Sequence, residues 1–220
     1  MRRAYGRKVN HDERSRRYGL VVNPRVELTS RDWPTAGPII DQGDVGMCVG
    51  ASLAHLLNVC RTRDGGSQFL GHAEALDLYE DATKIDPFDG EYPPDDTGTD
   101  AVSVCKVAQE HGLVRVYNHA FGLRQTLLAL QTGPVMAGFT WHEGMEEPDA
   151  DGRISATGEV LGGHQVVLSG IDTRAETVTV LNSWSADWGR GGRAFLSWED
   201  LRLLLADEGD ITIPQPGGTP

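Results

Sequence analysis

The chain is poor in cysteine and has no long apolar run. Cys48, Cys60 and Cys105 are its only cysteines in 220 residues, an odd number without a CxxC pair. That usage excludes a dense disulfide framework and reads as a reducing compartment. The seven histidines never fall at ligand spacing beside these cysteines, so no structural zinc, other metal or cofactor is expected. No stretch approaches the roughly 18 consecutive apolar residues of a membrane helix, so no membrane partner is expected. The basic start Met1-Arg-Arg-Ala-Tyr-Gly-Arg-Lys8 is followed only by the short apolar run Gly19-Leu-Val-Val22, too brief for a signal-peptide core. The expectation is therefore a cytoplasmic protein, or one incorporated in a virion or other assembly. Internal repeats and low-complexity tracts are absent.

What is present fits a globular chain. Hydrophobic residues make up 39% and charged residues 24%, enough to build one domain or two small lobes around a sizeable core. The net charge of −12 is uneven: residues 1–31 carry nine Lys/Arg against three acids, so they hold +6 and the remainder holds −18. A cationic arm on an acidic body is expected to pack against that body, or to dock on an anionic partner or neighbouring subunit. Nucleic acid is disfavoured, because the acidic body would repel phosphates and only Tyr5 and Tyr18 interleave the basic residues.

Hydrophobic spacing divides the rest. Residues 48–61, 73–84 and about 100–111 read as helices, the first stopped by Gly65-Gly66 and the third capped by Thr99 or Asp100. Residues 85–99, with Pro87, Pro93 and Pro94, read as an acidic loop. After a short helix at 123–131 come strand-like runs at 135–141, 165–171, 177–181 and 193–197, a helical turn or two at 199–205, then 211–213. Helices first and antiparallel strands second predict an α+β protein of two lobes.

Three segments carry candidate chemistry. In Ile40-Asp-Gln42-Gly-Asp-Val-Gly46-Met-Cys48, a glycine-containing turn delivers Cys48 to a helix start, where the dipole favours a thiolate. In Gly162-Gly-His164-Gln, a histidine heads an apolar strand. In Leu181-Asn182-Ser-Trp184-Ser-Ala-Asp-Trp188-Gly189, an asparagine ends a strand beside two tryptophans. Singly, each has an ordinary structural reading: a buried thiol, a surface histidine, a hydrophobic lid over a loop. His55, seven residues after Cys48 on the same helix, lies about two turns or 10 Å along the axis and is no rival base.

Together these segments resemble the papain-like cysteine peptidases. The shared features are a Gln six residues before the Cys (Gln42, Cys48), the Gly-x-Cys helix start, a His before an apolar strand, and Asn-Ser-Trp followed by Trp-Gly. Trp33 is similar to part of that family's mature N-terminal segment. The resemblance covers about residues 30–213. It implies a helical lobe at 32–118 carrying Cys48 and a β-barrel-like lobe at 119–213 carrying His164 and Asn182, with the cleft between them. The arm at 1–31 and a tail at 214–220 lie outside. It implies Cys48 as nucleophile, His164 as acid and base, Asn182 as the orienting residue, and Gln42 with the Cys48 amide as oxyanion hole. Trp184 would shield the His–Asn bond, Gly98 and Thr99 would pair with substrate backbone, and Gly138 and Gln165 would line the pocket for the second residue before the cut. The partner is then a peptide or protein substrate.

The match has departures. Val45 stands where the family places a half-cystine, Val49 where it places an aromatic, and Gly163 where an acid often precedes the histidine. With about 30 residues before the match and no long pro-domain, the chain looks like the short bacterial or bacteriophage members. An enzyme made active, or restrained in another way, is the expectation. Papain-type chemistry has no evident use for the arm, and removing residues 1–23 is expected to leave hydrolysis of a small peptide substrate within a few-fold. Two other readings stand beside this one: a related Cys-His hydrolase that processes leaders or cuts peptidoglycan, and a non-catalytic papain-fold component of a phage or bacterial particle.

Overall fold

A computed structural model describes residues 3–217; Met1 and Arg2 of the basic arm and residues 218–220 of the tail lie outside that range. Helix α1 (Cys48–Arg63) is the axis of the first lobe, with every residue from Cys48 to Cys60 buried. A helix buried all round needs neighbours on every side. These are α2 (His72–Thr83), α3 (Ala101–Glu110) and the sheet described below. Gly50 permits the closest approach: a Cβ there would lie 2.2 Å from the carbonyl oxygen of Ala75 in α2. Buried Asn58 is satisfied by Leu70, donating to its carbonyl and accepting from its amide, both at 2.8 Å. Asp100 caps α3, its carboxylate accepting from Val102 N at 2.8 Å and Ser103 N at 3.0 Å. The Thr99 hydroxyl donates instead to Asp86 at 2.7 Å.

The second lobe is built on an antiparallel sheet. Its strands are β1 (Arg31–Asp32), β2 (Val114–Ala120), β3 (Val135–His142), β4 (Arg153–Ile154), β5 (Val160–Asp172), β6 (Thr177–Leu181), β7 (Arg193–Ser197) and β8 (Asp210–Pro216). They run in the order β2-β8-β3-β5-β6-β7-β4, with β1 on β5; only the short β4–β7 pair is parallel. The ends are not joined, so the sheet is open rather than a closed barrel. Helices α4 (Gly122–Ala129) and α5 (Trp198–Ala206) pack together beside it.

Strands β6 and β7 match the expected bounds, whereas β1, β4 and a 3-10 helix at Glu13–Tyr18 were not expected, and β5 begins at Val160, so that His164 lies within the strand and not at its head. Two further differences bear on the lobes. Strand β2, whose Val-Arg-Val-Tyr-Asn-His-Ala lacks clean alternation, pairs with β8 and so ties residues 114–118 of the helical segment into the sheet. Strand β8 extends to Pro216, taking in the first three residues of the expected tail. Two apolar cores result. One is centred on α1 and includes Cys48, Met136 and Val167; the other includes Phe139, Trp141, Trp184 and Trp188. The cleft lies where they meet.

Candidate active site

Each proposed site residue is held by an identifiable local device. Cys48 is the first residue of α1 and is fully buried. The loop before it is pinned by Asp96, whose carboxylate accepts from Gly46 N (2.8 Å) and from the Tyr79 hydroxyl (2.5 Å). Gln42 N donates to Ser183 O at 2.9 Å, and Asp41 forms a bridge with Trp184, so this loop is stitched to the Asn182-Ser-Trp184 segment. The Gln42 amide is oriented at both ends. Its oxygen accepts from the Ser183 hydroxyl at 2.6 Å, and its nitrogen donates to Val45 O at 3.0 Å and Ala4 O at 3.2 Å.

His164 lies in β5, paired with Phe139 of β3. The β5–β6 register sets Val167 against Leu181; continued past the strand end, it carries the 182–184 segment to His164. His164 Nε2 lies 2.8 Å from Asn182 Oδ1, which also accepts from Ser183 N. Because an amide oxygen can only accept, Nε2 carries the proton and Nδ1 is the free basic nitrogen. The ring stacks on Trp184 at 4.6 Å and 26°, and Trp141 meets its edge at 4.7 Å.

Burial pushes the Cys48 thiol up to about 11, against the pull of the Gln165 and Gly6 amides and of Arg7. Burial likewise pushes His164 down to about 4, opposed by its bond to Asn182. His164 Nδ1 has no hydrogen-bond partner among the described residues. Losing water penalises the charged form of each group, and Tyr5 of the arm joins Trp141 and Trp184 in covering the His164 ring.

Residues 3–8 cross the cleft in extended form. Arg7 N donates to Gly163 O (2.9 Å), Thr99 N donates to Gly6 O (2.8 Å), and Lys8 N donates to Thr99 O (2.8 Å), so Arg7 runs parallel to Thr99. Tyr5 meets His164 and Trp184 edge-on at 6.2 and 6.3 Å. The Arg3 guanidinium sits over Trp184 at 4.2 Å and also contacts Glu146 and Glu147. The Arg7 side chain is 1% exposed and paired with Asp210. Gly6 passes beside Cys48, its backbone amide being one of the groups that oppose the rise of the thiol.

The sequence-based expectation for this arm is corrected in part. It does pack on the acidic body, through Arg3 and Arg7, and the place, which the sequence left open, is the cleft. All five expected substrate-binding residues lie along its path. Gly98 (φ +77°) faces Gly6, Thr99 pairs with the arm's backbone, Trp184 carries Arg3, and Gly138 and Gln165 flank Arg7. Gly138 has no room for a side chain: a Cβ would lie 2.6 Å from Asp210 Oδ1 and 2.7 Å from Arg7 Nε. The Gln165 amide, turned so that its oxygen accepts, bonds to Ala137 N at 3.2 Å and Gly138 N at 3.3 Å.

His55 takes a structural role, its Nε2 accepting from Ile40 N at 2.9 Å. Trp33 anchors the segment after the arm, donating through Nε1 to Leu130 O at 2.9 Å. Sequence reasoning missed Tyr5, Asp96, Trp141, Ser183 and Asp210. Two of these left a signal: Ser183 stands inside the Asn-Ser-Trp motif, and Asp210 is an acid opening the apolar run Ile211-Thr-Ile213, the one charged residue of β8. Among the described residues, no cluster of three or more His, Cys, Asp or Glu is placed to hold a metal, and no helix is long and apolar enough to cross a membrane.

No family model and no curated protein matches the chain. Solved structures do. Xylellain, a cysteine protease from Xylella fastidiosa, superposes with a TM-score of 0.79 at 16% identity, covering 98% of each chain. Procathepsin L2 from the larval midgut of Tenebrio molitor gives 0.63 at 15%, over 97% of this chain and 78% of its own. Bromelain from Ananas comosus, in complex with the inhibitor E64, gives 0.62 at 13%, over 84% of this chain and 98% of its own.

Proposed function

On the papain-like fold that these neighbours share with the chain, we propose a cysteine endopeptidase whose own N-terminal arm occupies the substrate cleft. One observation carries this reading. The groove between Cys48 and the His164–Asn182 pair already holds an extended peptide, bonded through its backbone to Thr99, Gly163 and the Gln42 amide. A groove that satisfies the main chain of one extended segment can satisfy that of another.

Once the arm leaves, water returns to Cys48 and His164. The burial that holds the thiol up and the imidazole down is relieved, and the proton can pass from sulfur to Nδ1. The thiolate attacks the substrate carbonyl carbon, and the Gln42 amide and the Cys48 N–H receive the developing oxyanion, each donor contributing about 3 kcal/mol. His164 then protonates the leaving amine, water hydrolyses the acyl-enzyme with His164 as base, and the thiolate is regenerated. Asn182 keeps the imidazole in the required tautomer and orientation, while Trp184 and Trp141 exclude water from that bond. Gly98 and Thr99 present the backbone that aligns the substrate.

The arm restrains this chemistry by filling the groove, its Ala4 carbonyl already occupying the Gln42 amide. One of the superposed structures bears a name that marks it as a procathepsin, in keeping with a self-blocked form. The test is covalent. An epoxysuccinyl-peptide inhibitor should label Cys48, identified by mass spectrometry, slowly in the native chain and rapidly when the arm is displaced. A displaced-arm chain that neither reacts at Cys48 nor hydrolyses any peptide would overturn the peptidase reading.

A further inference from the structure

Arg7 occupies a pocket whose chemistry is specific. Its Nε donates to Asp210 Oδ1 at 3.1 Å, and its Nη2 donates to the same oxygen and to Glu208 O, both at 2.5 Å. The guanidinium is 1% exposed, while the Asp210 side chain keeps 25% of its surface. Glu208 stands just past the C-terminal end of α5 with φ +56°, a left-handed conformation that aims its carbonyl into the pocket. The negative end of the helix dipole adds to the field there. On the other side Gly138 supplies the space, and the Gln165 oxygen is engaged by backbone amides. A carboxylate, a helix-end carbonyl and a wall without a side chain form an acceptor-lined slot sized for a guanidinium.

Resting on the peptidase reading above, we propose that this slot is a specificity pocket, with Asp210 as the residue that selects an arginine-bearing peptide substrate. Arg7 occupies it in the substrate's absence. The resemblance noted in the sequence puts Gly138 and Gln165 at the pocket for the second residue before the cut, so selection falls at that position. An apolar side chain entering the slot would strip water from Asp210 without replacing its hydrogen bonds, whereas arginine restores them in a forked geometry. The cleft repeats this preference at its other end, where Glu146 and Glu147 receive Arg3.

The test uses the full-length chain carrying Gly6→Val and Arg7→Ala, which removes both the close fit and the ion pair of the arm. Two coumaryl peptide amides are compared, with arginine or leucine at the second position before the cut and otherwise identical. The arginine substrate should have the higher kcat/KM by about tenfold or more, and adding the near-isosteric Asp210→Asn should bring the ratio close to one. Binding is measured separately, with Cys48→Ala added so that no turnover is needed. A fluorescent hexapeptide copying residues 3–8 should bind about tenfold or more tighter than its twin carrying citrulline, arginine's neutral isostere, in place of the second arginine. Hydrolysis without discrimination, or equal binding of the two hexapeptides, or binding of neither, overturns the pocket. Discrimination in binding with no hydrolysis of any substrate leaves the pocket standing and removes the peptidase.

Discussion

Gly6 and Gly46 meet backbone to backbone: a Cβ on Gly6 would lie 1.7 Å from the Gly46 carbonyl oxygen. Gly98 closes on the same residue from the other side, its own Cβ position being 2.2 Å from the Gly6 carbonyl oxygen. The arm therefore threads the cleft as bare main chain where it passes Cys48. Gly46 is two residues before Cys48 and its amide is held by Asp96, so a shift of the loop would move Cys48 with it. A larger residue at position 6 must expel the arm.

Gly6→Val should accordingly raise the rate at which an epoxysuccinyl inhibitor labels Cys48, by tenfold or more on the order expected for losing a tightly packed contact of about 1.4 kcal/mol or above. Cys60 and Cys105 should stay unlabelled in the same sample, because both are buried and burial holds both thiols up. Peptide mapping by mass spectrometry reads all three. Equal labelling before and after the substitution would mean that the arm does not guard the sulfur.

In the displaced-arm chain, Gln42→Ala should lower kcat by about 10²–10³ with little change in KM, as befits a donor used in the transition state. Ser183→Ala should have a smaller effect in the same direction, since the Ser183 hydroxyl holds the Gln42 oxygen at 2.6 Å and so fixes which end of the amide faces the cleft. Steady-state kinetics separate the two. A Gln42 variant with unchanged kcat would remove it from the oxyanion hole.

Asn182→Ala should cut kcat by at least about tenfold, and Asn182→Asp should restore part of the loss, since a carboxylate also accepts from Nε2. The lever is orientation: Asn182 Oδ1 is the partner that fixes the His164 tautomer. The pH profile of the displaced-arm enzyme should be bell-shaped, rising as Cys48 and His164 form their ion pair and falling as the imidazolium is lost. Full activity of Asn182→Ala across the profile would make that bond structural only.

Stability of the arm-closed chain should fall in acid. His164 and His55 are buried and each is pushed from 6.5 down to about 4 by burial. A histidine depressed in the folded state binds fewer protons than in the unfolded state. Its stabilising contribution is therefore complete above pH 6.5 and is lost progressively toward pH 4, on the order of 3 kcal/mol for each group. With Cys48→Ala to prevent self-digestion, the melting temperature should drop between pH 7 and pH 5, before ordinary carboxylates titrate. A flat melting temperature over that range would show that the histidines are not held neutral.

Much of the candidate site was legible because it is written in local patterns. The Gln42-to-Cys48 spacing is a turn feeding a helix, and the Asn182-Ser-Trp184 block ends a strand of β-branched residues. The expected strands 177–181 and 193–197 and the start of α1 at Cys48 coincide with the structure. Strand β2 escaped because its mixture of exposed and half-buried residues follows no period; only pairing with β8 makes it a strand. Asp96 escaped because nothing in an acidic loop singles out the one carboxylate that accepts from Gly46 N and the Tyr79 hydroxyl together.

By itself, the sequence determined the α+β order of elements, the chemistry-bearing residue types and their spacing, and the opposite charges of arm and body. Those properties are local or additive, set by hydrophobic period, turn chemistry and summed charge. Only the tertiary structure decided where the arm goes. Its seat depends on Gly6 fitting between Gly46 and Gly98, on Arg7 finding Asp210 some two hundred positions away, and on the Thr99 backbone pairing with Gly6 and Lys8. Charge alone draws a basic arm to an acidic surface without choosing a place on it. Shape and hydrogen-bond complementarity chose the cleft.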